Sequence, residues 1–283
     1  MWPVQLVLWY DILMLVVACV KQVPDTTQVK VDPVTGTLIR EGVPFIMNPY
    51  DTHALEESLR LKDKYGFRVA VISMGPPTAE VTLRKAQALG ADEAILLSDR
   101  AFGGADTLAT SMVLTEAIRK LAQQEELALI ICGRQTIDGD TAQVGPGIAT
   151  RLGCSQLTLV DRIEEVDLKT KQVKVRRKLE GRHEIVVAPL PAMIAVLREI
   201  NTPRYPNVPM RLMAEDATIA LWDNKEMKID EQTIGLKGSA TQVRKIFSPE
   251  RAKGQILGGE ADKPEDVARS LIDRMMGKDL LAL

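Results

Sequence analysis

The sequence is poor in the residues that most often carry catalysis and metal binding. Its 283 residues include two histidines, three cysteines and only 4% aromatic residues. Two histidines, His53 and His183, leave little material for a histidine-rich metal centre or for a conventional nucleophile–base pair. The cysteines, Cys19, Cys132 and Cys154, are too widely spaced for a CxxC zinc site or a disulfide framework. We therefore predict a reduced protein with no metal site and no catalytic side chain, whose chemistry is carried by something else.

An excess of charge of one sign is also missing. The chain has 36 basic and 38 acidic side chains, a net charge of −2 and a pI near 5.9. Proteins that bind nucleic acids by neutralising phosphates are basic, and the few aromatic residues leave no stacking surface for bases. We therefore expect no nucleic-acid partner. The hydrophobic fraction of 46% is typical of a globular protein, and the length fits one large domain or two small ones.

One long apolar run is present, in the first twenty residues. It is long enough to span a bilayer, but Asp11 lies within it and no basic residue precedes it, as a signal peptide would require. Residues 14–20 are typical of a buried parallel strand. We interpret residues 1–13 as a hydrophobic extension of a cytoplasmic protein, any membrane association being made through a larger complex. A transmembrane or signal segment and a natural start at Met14 are the alternatives.

Short apolar runs alternate with helical patterns up to about residue 155, which predicts an α/β fold with a Rossmann-like parallel sheet flanked by helices. The predicted strands are residues 13–20, 68–73, 93–97 and 127–132. Helices are predicted to begin at Asn48-Pro49, at Pro77 and at Asp106, and a fourth is predicted to follow Asp140.

Beyond residue 155 the pattern changes. Residues 163–166 and 172–178 predict an antiparallel ribbon, and residues 184–187 and 193–197 predict further strands. Residues 223–262 are weakly periodic and interrupted by glycines, which is typical of a linker. Residues 264–276 predict a terminal helix, and a helix isolated by such a linker usually docks on a partner.

Four loops are predicted beyond the carboxyl ends of the parallel strands, where open α/β sheets bind their ligands. These loops contain Cys19, the pair Met74 and Gly75, the glycine turn before Asp106, and residues 133–146. The glycine turn faintly resembles the loop of ATP pyrophosphatases, which gives a remote alternative, but it lacks the final serine of that motif.

The loop at residues 133–146, GRQTIDGDTAQVGP, is the most informative of the four. It is predicted to enter a helix near Asp140 and Thr141, where free N–H groups could hold a phosphate together with the Thr141 hydroxyl and the Gln143 amide. It is neither a Walker loop nor GxGxxG, so an ordinary strand–helix turn is the alternative. Asp138 and Asp140 could ligate Mg²⁺, but we interpret them as a turn residue and a helix cap.

Several motifs together resemble the beta (small) subunit of electron transfer flavoproteins. They cover about residues 14–215 in the order of that family, at residues 20–25, 47–51, 73–76, 88–92, 133–145 and 190–206. The resemblance implies a heterodimer with a larger alpha subunit and electron transfer by a bound cofactor. Together with the sequence pattern, it predicts three regions: the extension at 1–13, a nucleotide- or flavin-binding α/β domain at 14–222, and a linker and arm at 223–283 whose helix docks on the partner subunit.

Carried over position by position, the resemblance implies a cofactor pocket, and Gly75 and Asp106 from the neighbouring loops complete the predicted set. The implied pocket residues are Cys19, Asn48, Tyr50, Asp51, Met74, Gly133, Arg134, Gln135, Thr136, Ile137, Asp138, Gly139, Asp140, Thr141, Ala142, Gln143 and Val144. Arg134 could pair with a phosphate or with a reduced flavin anion, a surface salt bridge being the alternative.

The family has a housekeeping branch, in which the pocket holds structural AMP and the protein docks acyl-CoA-type dehydrogenases, and an electron-bifurcating branch, in which it holds FAD. The housekeeping loop is acidic where this chain has Gly139 and has Cys-Asn where it has Thr141-Ala142, so the resemblance favours FAD. It implies NADH as the hydride donor, with ferredoxin or flavodoxin and a dehydrogenase or quinone oxidoreductase as partners. Asn201, Arg204, Tyr205 and Val208 correspond to the family's partner-recognition loop, although such a proline-rich stretch could instead brace the subunit interface.

Overall fold

A computed structural model describes residues 14–25, 30–31, 38–39, 44–242, 254, 256–259 and 263–277. The described residues fall into two compact units, the first containing those between 14 and 242 and the second those between 254 and 277. The predicted extension at residues 1–13 lies outside the described residues. Among those described, no helix has the length and apolar character needed to cross a membrane.

The first unit contains all the described strands. In chain order they are β1 (Leu15–Cys19), β2 (Gln22–Pro24), β3 (Lys30–Val31), β4 (Leu38–Ile39), β5 (Phe45–Met47), β6 (Arg68–Met74), β7 (Glu93–Leu97), β8 (Leu127–Gly133), β9 (Ser155–Asp167), β10 (Gln172–Leu179), β11 (Arg182–Pro189), β12 (Ala192–Val196) and β13 (Ala220–Trp222). Nine of them form one sheet in the order β11-β10-β9-β12-β8-β1-β6-β7-β13, and β2-β5 and β3-β4 form two small antiparallel pairs.

The helices that accompany these strands are, in chain order, α1 (Pro49–Tyr65), α2 (Glu80–Leu89), α3 (Thr107–Ala122), α4 (Val144–Leu152), α5 (Val208–Asp216), α6 (Asn224–Met227), α7 (Gly235–Gly238) and α8 (Pro264–Met276). Their ends follow local chemistry. The Asp106 carboxylate accepts hydrogen bonds from the N–H groups of Leu108 and Ala109 at the start of α3. α2 ends at Gly90, whose φ of 119° lies outside the range that side chains favour.

The fold class predicted from the sequence is confirmed. Strands β12, β8, β1, β6, β7 and β13 run parallel, and β9, β10 and β11 form the antiparallel ribbon. All five residues of β1 are buried, because one apolar cluster packs on each face of the sheet. Val16 belongs to the cluster that includes Leu55 of α1 and Leu83 of α2, and Val17 to the cluster that includes Ile118 of α3 and Ile148 of α4.

Residues 223–242, predicted as linker, contain α6 and α7 and pack on the α/β unit, since Ile234 is buried in the cluster that includes Phe102. The second unit contains α8, which has the predicted bounds and ends before Gly277. Docking of this arm on a partner subunit stays a prediction.

Candidate functional site

The order in which the chain adds strands to the sheet reverses between β1 and β8, which are neighbours. β1 connects through α1 to β6 on one side, whereas β8 leads through α4 to β9 and then to β12 on the other. Open α/β sheets bind ligands in the crevice at such a point. The register pairs Cys19 with Cys132 and with Ile72, so that the ends of β1, β8 and β6 lie side by side. The segment from the last residue of β8 to the start of α4, residues 133–143, is called the Gly133 loop below.

Asn48 holds the Gly133 loop from the start of α1. Its side-chain amide donates to the Gln135 carbonyl at 2.9 Å, and its side-chain oxygen accepts from the Ile137 N–H at 3.2 Å. The sequence predicts Asn48 as the N-cap of α1, and it has that position, but its side chain makes no capping hydrogen bond. The side chain instead joins α1 to a loop that follows almost ninety positions later.

Asp51, in the first turn of α1, joins the two strand ends. Its carboxylate accepts a hydrogen bond from the Lys21 main-chain N–H at 2.8 Å and another from the Gly133 N–H at 3.1 Å. The residue is 5% exposed, and burial raises the pKa of the carboxyl from 3.8 to about 7, although the hydrogen bonds oppose the shift. We call these two hydrogen bonds the Asp51 bridge.

At Gly133 the loop backbone passes very close to the first turn of α1. A Cβ at this position would lie 2.4 Å from Oδ1 of Asp51, 2.5 Å from Cβ of Tyr50 and 2.8 Å from the Tyr50 carbonyl carbon. Because part of that contact is with backbone, only glycine lets the loop pass α1 at this distance.

The second half of the Gly133 loop is irregular and exposes its backbone. The predicted helix start near Asp140 and Thr141 is wrong, because α4 begins at Val144. Asp140 (φ 54°) and Ala142 (φ 55°) have left-handed backbone conformations, and the Asp140 carboxylate accepts a hydrogen bond from the Gln135 amide instead of capping a helix. Within the described ranges, the N–H groups of four consecutive residues meet no hydrogen-bond acceptor: Thr141, Ala142, Gln143 and Val144.

Two further contacts fix the loop to its surroundings. The Lys21 ammonium pairs with the Asp138 carboxylate at 2.7 Å, and the Thr107 hydroxyl donates to the Gln143 side chain at 2.8 Å. Partial burial opposes ionisation of Asp138, but hydrogen bonds from Lys21 and Thr136 outweigh it and hold its pKa below the usual value. Neither Lys21 nor Thr107 was predicted as a site residue, although Lys21 follows β1 closely in the sequence.

The remaining predicted residues lie around this centre. Met74 ends β6 and Gly75 follows it, and the Tyr50 ring lies 4.5 Å from the Arg198 guanidinium. Asp106 is held by the start of α3 and by hydrogen bonds from the N–H and hydroxyl of Thr241. Arg134 is exposed, and its main-chain N–H donates to Val196. The described contacts thus unite Asn48, Asp51 and the Gly133 loop, whereas Asp106 reaches the loop only through its neighbour Thr107.

Comparison with known proteins gives this site its context. A family profile described as "Electron transfer flavoprotein domain" matches residues 35–227. The chain is 49% identical over 257 residues to "Electron transfer flavoprotein subunit beta" of Clostridium acetobutylicum, covering 91% of this chain and 95% of that protein. It is 47% identical over 262 residues to "Protein FixA" of Azotobacter vinelandii (92% and 93% covered). It is 44% identical over 270 residues to "Caffeyl-CoA reductase-Etf complex subunit CarD" of Acetobacterium woodii (95% and 100% covered).

The chain belongs to the electron transfer flavoprotein family. Its relatives identify it as a beta subunit, which confirms the resemblance predicted from the sequence. Members of the electron transfer flavoprotein family bind flavin or AMP, and the residues present fit the nucleotide part of either. Two features of the loop suit a phosphate or pyrophosphate. One is the close backbone approach at Gly133, where no Cβ would fit, and the other is the run of unpaired N–H groups; together they are called the glycine cradle.

The proposed recognition loop of this electron transfer flavoprotein is anchored to α1. The Arg204 guanidinium makes a forked contact with Glu56 at 2.9 and 3.2 Å and a third bond to Asp63 at 2.8 Å. The Asn201 amide donates to the carbonyl of His53 and to the Glu57 carboxylate, both at 3.0 Å.

Two apolar side chains of the same loop point to solvent, since Tyr205 is 94% and Val208 70% exposed. Arg204 and Asn201 therefore hold the loop, and Tyr205 and Val208 are its exposed apolar side chains. Partner binding by these four residues stays a prediction.

Proposed function

We propose that this chain is the beta subunit of an electron-bifurcating electron transfer flavoprotein and holds FAD at the Gly133 loop. In this proposal it pairs with an alpha (large) subunit that carries a second FAD. Further partners are ferredoxin or flavodoxin and a dehydrogenase or quinone oxidoreductase. When bound, the FAD supplies the redox chemistry, receiving hydride from NADH and passing electrons toward both acceptors.

The residues of this chain bind and orient the cofactor. The Gly133 loop lets the backbone approach the pyrophosphate, and the unpaired N–H groups from Thr141 to Val144 bind its oxygens. Asn48 and the Asp51 bridge hold the loop in register with the end of β1. The observation that carries the proposal is this glycine cradle at the point where the strand order reverses.

Two features support FAD over AMP. Gly139 and Ala142 are exposed and small, so the loop leaves room along its length for the part of FAD that extends beyond the pyrophosphate. Among the relatives, the name of CarD places it in a caffeyl-CoA reductase–Etf complex, and FixA also lies at 47% identity over 92% of this chain. The second candidate, a housekeeping beta subunit with AMP, uses the same cradle.

Counting the cofactors tests the proposal directly. We expect the co-purified alpha–beta complex to release two FAD per heterodimer on denaturation, measured by chromatography, and NADH to bleach the bound flavin under anaerobic conditions. One FAD together with one AMP would contradict the proposal and establish the housekeeping alternative.

Gly139→Glu is expected to weaken cofactor binding about tenfold, because a carboxylate beside the phosphates adds like-charge repulsion. A Cβ at Gly139 meets only the Thr136 hydroxyl, at 3.4 Å, so the substitution fits the fold. Affinity is measured by titrating FAD into cofactor-depleted complex. Gly139→Gln has the same size without the charge, so it measures the effect of bulk alone, and we expect it to weaken FAD binding clearly less than Gly139→Glu does. Equal weakening by both variants would point to bulk and contradict the proposed position of the phosphates.

A further inference from the structure

We propose that α5 and a cavity at its end dock a protein surface that carries a lysine or arginine beside an apolar side chain. The surface consists of three side chains in a row on α5 and of the cavity in which that row ends. The inference rests on the proposed function, because it supplies the chemistry of the dehydrogenase partner named there.

The row on α5 faces solvent. Val208, Leu212 and Asp216 follow one another at intervals of four residues, which places them on one face of the helix. Val208 and Leu212 are exposed, whereas Ala214, on the opposite face, is buried where α5 packs on α2. Exposed apolar side chains at this spacing are typical of a helix that binds another protein.

α5 is fixed at both ends. At its start, the Asn207 side chain accepts a hydrogen bond from the Met210 N–H at 2.9 Å. At its end, the guanidinium of Arg84 on α2 donates hydrogen bonds to three main-chain carbonyl groups, those of Ala214, Glu215 and Ala217. The row is therefore held in one orientation, and a rigid surface loses little entropy when a partner docks on it.

A cavity of about 510 Å³ lies at the end of the row, between α2 and the segment that joins α5 to β13. Asp216, the last residue of the row, lines it together with Glu80 and Arg84 of α2. Leu96 and Leu221, from β7 and β13, add apolar surface. This volume lies in the range of small-ligand pockets and has room for one long side chain.

The charged groups of the cavity favour a cation. Arg84 is the one basic residue of the lining, and its Nε and Nη2 contact Oε1 of Glu80 at 3.0 and 2.6 Å while Nη1 binds the carbonyl groups of α5. Asp216 makes no ion pair with any residue that the structure describes. One carboxylate is thus left without a counterion, so the cavity repels an anion and attracts an ammonium or guanidinium group.

One kind of occupant satisfies both parts of the surface. Lysine and arginine place their aliphatic stems along apolar surface and keep the charged head in a polar environment. A stem on Leu221 with its head at Asp216 uses the cavity, and an apolar neighbour on the same partner covers Leu212. The partner is therefore a protein with a basic side chain next to an apolar one.

The first test measures the dissociation constant between the co-purified alpha–beta complex and its dehydrogenase partner by calorimetry, at low and at high salt. Asp216→Asn should raise it about fivefold at low salt and reduce its salt dependence, because one ion pair is lost. Leu212→Ala should raise it about tenfold through lost apolar contact. Glu215→Gln removes an exposed carboxylate that does not line the cavity, and this matched control should bind as wild type does.

All three side chains are exposed, so thermal unfolding and nucleotide content should stay at wild-type values. Wild-type affinity in Asp216→Asn or in Leu212→Ala, or an equal loss in Glu215→Gln, overturns the proposal. A wild-type complex that binds no dehydrogenase also overturns it. The cofactor count described above tests the proposed function independently, because binding is measured whichever nucleotide the complex holds.

A second test examines the cavity without a partner. Butylguanidinium and butyrate have similar apolar chains and opposite charges, and saturation-transfer NMR detects the binding of either to the wild-type complex. Butylguanidinium should bind and butyrate should not, and Asp216→Asn should weaken the butylguanidinium signal. Equal signals from the two probes, or an unchanged signal in Asp216→Asn, would contradict the assigned chemistry of the cavity.

Discussion

Gly133→Ala is expected to remove the bound nucleotide and to lower the free energy of unfolding by about 3 kcal/mol or more. The added methyl carbon would lie 2.4 Å from a carboxylate oxygen of Asp51 and 2.8 Å from the Tyr50 carbonyl carbon. The side chain could turn aside, but the backbone of α1 cannot, so the loop must move and the Gly133 N–H must leave Asp51. Denaturant unfolding and the nucleotide content of the purified complex measure the two effects.

Gly139→Ala is the matched control, since it adds the same methyl group six residues further along the same loop. Its nearest contact would be the Thr136 hydroxyl at 3.4 Å, an ordinary van der Waals distance. We expect wild-type stability and full nucleotide content. A stable Gly133→Ala protein with a full complement of nucleotide would show that the loop does not need its close approach to α1.

Arg204→Ala is expected to destabilise the protein by about 2–3 kcal/mol and to abolish binding of an electron-transfer partner. Glu56 is 6% exposed, and without the guanidinium its one hydrogen-bond donor among the described residues is the main-chain N–H of residue 204. Breaking a buried ion pair costs about 3–5 kcal/mol, and the partial exposure of Arg204 reduces that figure. The loop that presents Tyr205 and Val208 also loses its attachment to α1. Thermal unfolding and reduction assays with the physiological partner measure the two results.

Arg211→Ala and Arg204→Lys complete the comparison. Arg211 is exposed on α5, and its side chain makes no ion pair within the part of the chain that the structure describes, so its loss should change stability little. Arg204→Lys keeps the charge but not the fork, and we expect partial recovery. Full partner activity in Arg204→Ala would show that the loop does not depend on this anchor.

Most of the fold could be predicted because the apolar pattern of the sequence and its capping residues indicate the same strands and helices. The strand predicted at residues 93–97 has those bounds in the structure, and the helix predicted from Asp106 is capped by that residue. The start of α4 was misplaced because Asp140 is a good capping residue by type. Its backbone is left-handed in the structure and its carboxylate is held by Gln135, and neither property follows from its identity.

The candidate site was predicted as a set of loops, not as a set of contacts. Glycines and a strand–loop–helix order identify residues 133–143, but the partners of Asn48 and Asp51 depend on how α1 packs against β8. Asn48 was therefore predicted as a helix cap and, from the resemblance, as a pocket residue, but its contacts with the loop were not predicted, and Lys21 and Thr107 were missed. These residues hold the loop through contacts with residues far away in the sequence, and no sequence spacing predicts such contacts.

The long separation between the partners at this site has a consequence for how the protein acquires its cofactor. Asn48 and Ile137 are 89 positions apart, and Asp51 and Gly133 are 82 apart. Contacts of such high sequence separation close large loops and form late in folding. On the ribosome, a chain that ends before β8 has α1 but lacks the Gly133 loop to which Asn48 and Asp51 are hydrogen-bonded. With the proposed nucleotide site, we therefore expect the first half of the protein to have no nucleotide affinity of its own and the cofactor to bind only after β8 has joined the sheet.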